Sequence, residues 1–142
     1  MPSTGGAAYN GRKNVKTSLI AATWVGIGGF LGAVLRYGLS GLVQKQFLSA
    51  FPFGTLAVNL VGCLAIGVVA GLVDARQLFS PSFRAFLLIG LVGGFTTFST
   101  FGYEAFAMLR DGESLRAFGY VALHVVVGLA LVWIGYILTS SR

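Results

Sequence analysis

The chain has 142 residues, 56% of them hydrophobic and only 10% charged, whereas a soluble domain carries a charged fraction nearer a quarter. A chain this short cannot hide so much apolar surface from water, and the same excess of apolar residues excludes disorder. Cys63 is the single cysteine, which rules out an internal disulfide framework and a multi-cysteine metal cage. The net charge of +6 does not make a nucleic-acid binder, because the ten basic residues are scattered singly or in pairs between apolar runs. Basic residues spaced in that way suit lipid headgroups, so the composition predicts an all-α integral membrane protein.

A bilayer core of about 30 Å needs roughly 20 apolar residues in helical form. In chain order, the first eighteen residues are polar and basic and read as a mobile N-terminal tail, retained because no cleavage site precedes a soluble domain. The remainder, 19–142, reads as one transmembrane domain of four helices. The first span covers 19–43, with Arg36 as its single charge; the second, 54–73, carries no charge. The third, 85–109, is interrupted in composition by Gly93-Gly94-Phe95-Thr96-Thr97-Phe98-Ser99-Thr100-Phe101. The fourth, 118–138, holds His124 and no formal charge. Pro52, the segment 74–82 with Pro81, and the segment 110–116 supply the turns.

Four spans place both termini and the second connection on one face of the membrane. That face carries Arg12, Lys13, Lys16, Arg76, Arg84 and Arg142, six of the ten basic residues. The positive-inside rule puts it in the cytoplasm, but a bias of six against four is small and half of the majority lies in the tail. A chain inserting in both directions has such a balance.

Polar groups inside lipid need a partner or a task. Asn59 stands mid-span, four residues after Thr55 and on the same face; it reads as glue between helices or as part of an ion pathway. The glycine- and threonine-rich run of the third span has low helix propensity. It predicts either a break that frees backbone carbonyls for a cation or a tight glycine contact, with Gly90 and Gly94 one turn apart. Gly28 and Gly32, and Gly67 and Gly71, offer further close-packing faces. Phe98 and Phe101 share a face; they pack the bundle, or their electropositive ring edges line a route for a small anion. Tyr120 and His124 begin a stripe on the fourth span that continues at Gly128 and Val132. Arg36 snorkels to an interface or caps a buried carbonyl, and Cys63 is a small packing residue. No nucleophile–base grouping, paired acids or phosphate loop can be assembled, so the chain does not read as an enzyme.

Three ordered segments carry a resemblance. Gly28-Gly29-Phe30-Leu31-Gly32-Ala33-Val34-Leu35-Arg36-Tyr37, Gly54-Thr55-Leu56-Ala57-Val58-Asn59 and the Gly93–Phe101 run are similar to the signatures of the Fluc (CrcB-type) fluoride channel family. The likeness covers roughly residues 19–140. It implies an antiparallel, dual-topology homodimer in the inner (plasma) membrane that exports fluoride passively. It further implies that Thr55, Asn59, Phe98, Phe101, Tyr120 and His124 line the fluoride pathway. By the same resemblance, main-chain carbonyls of Gly93 and Thr96 surround a central structural sodium ion shared by the two subunits. The fourth span departs from the family pattern: His124 stands where a small hydroxyl or amide is usual, and Gly128 and Val132 bring no side-chain donor.

Two rival readings remain. A small four-helix proton-coupled multidrug exporter needs an intramembrane carboxylate, for which Glu104, beyond the Phe101 segment, is the one candidate. A non-transporting assembly subunit leaves the interrupted third span without a task.

Overall fold

The computed structural model describes residues 5–47, 49–76 and 79–140; the side chains of 5–17 and of Arg76 lie outside the described residues. Helix α1 is Gly5–Gln46 and α2 is Phe53–Arg76. Helix α3 occupies 81–95, α4 is Phe98–Arg110, and α5 is Ser114–Ser140. Four stretches are long and apolar enough to cross a membrane: Ser18–Gln46, Phe53–Ala75, Pro81–Arg110 (α3 and α4 together) and Ser114–Ser140. The tail expected over 1–18 falls partly outside the described residues; from Gly5 onward the backbone is helical and continuous with the first span.

Local chemistry sets the ends of these helices. Pro81 occupies the first turn of α3 and Ser80 caps it, accepting the Phe83 amide at 3.4 Å. After α4 the chain reverses through Gly112, whose φ of +80° only glycine adopts without strain. The Gly112 and Glu113 amides bond back to the carbonyls of Leu109 and Met108, at 3.1 and 2.8 Å, and so satisfy the end of α4. Two exposed ion pairs flank this turn, Arg110 with Asp111 and Arg116 with Glu113. The first holds the Asp111 carboxyl below its ordinary pKa, chiefly through the Arg110 hydrogen bond. Between α1 and α2 a single amide organises the connection. Gln44 donates to the carbonyls of Ser49 and Phe51 and accepts the Gly54 amide at 3.0 Å.

Helix α2 is the inner element, flanked chiefly by the C-terminal half of α5 and by α1. Val58 on α2 and Tyr120 on α5 are fully buried. The second side of α1 lies against α3 through glycine. A Cβ on Gly28 would stand 2.5 Å from the Phe86 carbonyl oxygen, and one on Gly94 would stand 2.7 Å from that of Gly29. Without side chains the two backbones approach directly, the small-residue packing that membrane helices use in place of a hydrophobic drive. Gly28 and Gly32 meet Gly90 and Gly94 here, so the tight-contact reading of the third span holds. Gly67 on α2 meets α5 at Val132 in the same way.

Two segments are wound wider than an α-helix, residues 85–92 in α3 and 123–127 in α5. Such wide windings are uncommon and occur frequently at functional sites. The second of them contains His124.

Candidate functional site

Helical geometry stops at Phe95 and resumes at Phe98. Thr96 is extended, with φ −85° and ψ 162°, and so is Thr97, with φ −149° and ψ 110°. Three side chains occupy the polar groups this exposes. Asn59 accepts the Thr97 amide on Oδ1 at 2.8 Å and donates from Nδ2 to the Thr97 carbonyl at 3.0 Å. Arg36 donates from Nη1 to the Thr96 carbonyl at 3.2 Å, which selects the carbonyl-capping reading of that arginine. Thr97 in turn caps α4, its Oγ1 accepting the Thr100 amide at 3.3 Å. Because the Thr97 amide goes to Asn59, it does not close back onto Gly93.

A cavity of about 330 Å³ opens beside this segment. Asn59, Gly93, Thr96, Phe98, Phe101 and His124 all line it, together with apolar side chains such as Ile66, Val92 and Val125. The rings form a continuous series. Phe98 and Phe101 have centroids 5.6 Å apart; Phe101 and His124 are 4.3 Å apart; Tyr120 meets His124 edge-on at 4.4 Å. Phe98 is 83% exposed, so in a single chain one side of the cavity is formed without protein cover. The His124 Nδ1 lies 3.0 Å from the Tyr120 carbonyl oxygen, while its Nε2 is buried without a hydrogen-bond partner among the described residues.

Thr55 and Tyr120 are not on that cavity wall. Both donate to Glu104, Thr55 from Oγ1 to Oε1 at 2.9 Å and Tyr120 from Oη to Oε2 at 2.6 Å. Thr55 is 6% exposed and Tyr120 fully buried, and among the described residues neither ion pair involves Glu104. Two hydroxyls therefore supply the donors that a partly buried carboxylate requires. Thr55 and Glu104 face a second hollow of about 410 Å³, shared with Ser40, Gln44, Asp111 and Glu113 near the α4–α5 turn. A third, of about 460 Å³, joins Thr55 to Arg36, Ser40 and Thr97. The site is thus an apolar, ring-lined cavity adjoined by polar hollows, with the Thr55–Glu104–Tyr120 cluster between them.

Thr55 and Asn59, one turn apart on α2, take different partners: Asn59 turns to Thr97 and Thr55 to Glu104. From the sequence, Glu104 is a candidate only for the rival exporter function. The available signal was its position, since an ionisable residue within a span is by default a functional candidate. Among the described residues no group of three or more His, Cys, Asp or Glu side chains is placed to hold a metal ion.

Four spans and the interrupted third of them define a multi-pass membrane protein with a small internal cavity. The chain belongs to the CrcB-like family (CrcB-like protein, Camphor Resistance), whose model matches residues 23–136. It is 47% identical over 113 residues to a protein of Methylobacillus flagellatus named fluoride-specific ion channel FluC, covering 79% of this chain and 88% of that one. A protein of the same name from Chloroflexus aurantiacus is 47% identical over 111 residues, 78% of this chain and 88% of the relative. Another from Aquifex aeolicus is 44% identical over 117 residues, 82% of this chain and 94% of the relative.

Proposed function

We propose that this protein is a fluoride-selective ion channel that exports cytoplasmic fluoride passively and so protects the cell from its toxicity. One observation carries the reading. Asn59, Phe98, Phe101 and His124, drawn from α2, α4 and α5, converge on one cavity, in a chain 47% identical to proteins named as fluoride channels. The site is no enzyme centre; it offers a passage. Aromatic ring edges carry partial positive charge and contact an anion without holding it as an ammonium or guanidinium does. Conduction needs that compromise, because an ion bound too tightly does not leave. Thr55 and Tyr120 extend the pathway at its polar end, their hydroxyls already oriented by Glu104. Fluoride accumulates in a cell because HF crosses lipid uncharged and dissociates inside. A negative-inside potential then expels the anion, at about 2.3 kcal/mol per charge per 100 mV, without ATP.

We further propose that the working unit is an antiparallel, dual-topology homodimer in the inner (plasma) membrane. The 83% exposure of Phe98 supports it, since a second copy would complete the cavity wall that one chain leaves uncovered. The small charge bias between the two faces agrees with insertion in both directions. The Gly93 and Thr96 carbonyls fit a central sodium ion. Gly93 has lost the helical amide of Thr97, and Thr96 retains one lone pair beside the Arg36 bond. Main-chain carbonyls are hard oxygen donors suited to such a cation, and two from each copy would surround it. Bound there, sodium would supply fixed positive charge that ties the two interrupted segments together.

Expression in a bacterium lacking its own fluoride exporter tests the function. Growth in fluoride is restored by the wild-type chain and not by Phe98→Ile; failure of the wild type to restore growth, with the protein present in the membrane, contradicts the reading.

A further inference from the structure

His124 is the only histidine in the chain, and its ring is held from two sides. Phe101 packs at 4.3 Å with a 37° tilt, and Tyr120 presents its edge at 4.4 Å. Nδ1 is 3.0 Å from the Tyr120 carbonyl oxygen, and a carbonyl only accepts. The proton of the neutral ring is therefore on Nδ1, and Nε2 carries a bare lone pair. That atom is buried with no hydrogen-bond partner among the described residues, in a ring that lines the cavity beside Phe98, Phe101 and Asn59. An orphaned buried polar atom in a native fold asks for a role. Here its two protonation states have opposite effects on a neighbouring anion: the lone pair repels it, whereas an Nε2–H carrying the charge of an imidazolium donates to it.

We propose that His124 is a proton-dependent fluoride-binding group, which admits fluoride to the Phe98–Phe101 rings more readily when Nε2 is protonated. The inference rests on the fluoride-channel reading and goes beyond it, giving this chain a pathway that opens further as pH falls. The step is simple uptake: a hydronium ion gives its proton to the Nε2 lone pair and leaves as water, no bond in the chain breaks, and the proton stays on the ring as the anion moves on. The other ionisable groups near the ring are Cys63, Glu104, Tyr120 and Arg36. From α2, Cys63 lines the same cavity as a thiol. From α4, Glu104 accepts from Thr55 and Tyr120, and its carboxyl also acts on the ring through space. From α5, Tyr120 spends its hydroxyl on Glu104. From α1, Arg36 is engaged with the Thr96 carbonyl and lines a different hollow.

The test is a titration and a flux measurement on the full, tag-free chain, whose single histidine gives one set of ring signals. With ¹⁵N-histidine-labelled protein, Nδ1 carries the proton at pH 8. In sodium fluoride the ring takes up its second proton at higher pH than in sodium chloride, by about one unit for each tenfold preference of fluoride for the protonated form. In liposomes, wild-type fluoride efflux corrected for empty vesicles rises severalfold from pH 8 to pH 6, while His124→Ser and His124→Gln give efflux independent of pH. Identical titrations in fluoride and chloride, or an Nε2-protonated ring at pH 8, overturn the proposal even where neither variant folds. Wild-type efflux that is robust but equal at both pH values also overturns it, and leaves the channel reading standing. Absence of efflux at every pH takes down both.

Discussion

The side-chain amide of Asn59 pairs with both main-chain polar groups of Thr97, accepting its N–H at 2.8 Å and donating to its carbonyl at 3.0 Å. An amide so placed does the work of a neighbouring strand for one extended residue, at the point where the third span leaves helical geometry. In lipid, non-helical backbone persists only where such partners exist.

Replacing Asn59 removes both bonds at once. Asn59→Ala is expected to lower stability by about 1–3 kcal/mol, the cost of leaving polar groups unsatisfied in a partly buried site. Asn59→Asp should do no better, because its second oxygen faces the Thr97 carbonyl instead of donating to it. Thermal unfolding in detergent, followed by size-exclusion chromatography, measures both. Wild-type stability in either variant would show that the pair contributes nothing.

Phe98 separates function from folding. Its side chain is 83% exposed in the single chain, so Phe98→Ile keeps apolar bulk and disturbs little internal packing. The expected result is a folded protein with fluoride efflux reduced to background. Undiminished efflux would reduce Phe98 to packing.

Glu104 and the two hydroxyls that serve it form a testable unit. Tyr120→Phe strips the donor from Oε2 and should cost about 1–3 kcal/mol in stability while slowing efflux. Glu104→Gln replaces one acceptor oxygen with an amide that opposes the donors. In the double variant the two losses should sum to less than their separate values, a coupling that a double-mutant cycle reads directly. Strict additivity of stability and efflux would mean that the 2.6 Å contact carries no energy.

The α1–α3 contact predicts a contrast between glycines on one helix. A Cβ at Gly32 would stand 2.7 Å from the Phe95 amide nitrogen, backbone that cannot yield, whereas one at Gly26 meets nothing within 4 Å among the described residues. Gly32→Val is expected to abolish recovery of folded protein, and Gly26→Ala to leave it unchanged. Equal yields would show that the helices do not need the close approach.

The span count and much of the site were legible because lipid imposes a strong rule on composition. The apolar runs 19–43, 54–73, 85–109 and 118–138 lie inside Ser18–Gln46, Phe53–Ala75, Pro81–Arg110 and Ser114–Ser140. The helices outrun the apolar stretches because hydropathy marks contact with lipid, while a helix ends where its backbone is capped, as at Gly112 after α4. Glycine and threonine in succession flagged the Gly93–Thr97 segment, and glycine spacing flagged its contact with α1. Long-range pairings had no such signal. Arg36 and Thr96 are 60 residues apart, and Thr55 and Glu104 are 49 apart on different helices. Thr55 and Asn59 share a helix face, yet neighbours on either side of α2 draw their polar atoms apart. The wide turn at 123–127, which surrounds His124, has apolar neighbours indistinguishable from those of an ordinary α-helix.

The central claim is that a bare halide passes along these rings, and it is tested most directly by efflux from sealed liposomes under an ion-selective electrode. With a potassium gradient clamped by valinomycin, the purified wild-type protein should release internal fluoride far faster than empty vesicles and should retain chloride. Vesicles that hold fluoride as tightly as protein-free controls, or that exchange bulky cations for protons instead, would contradict the account.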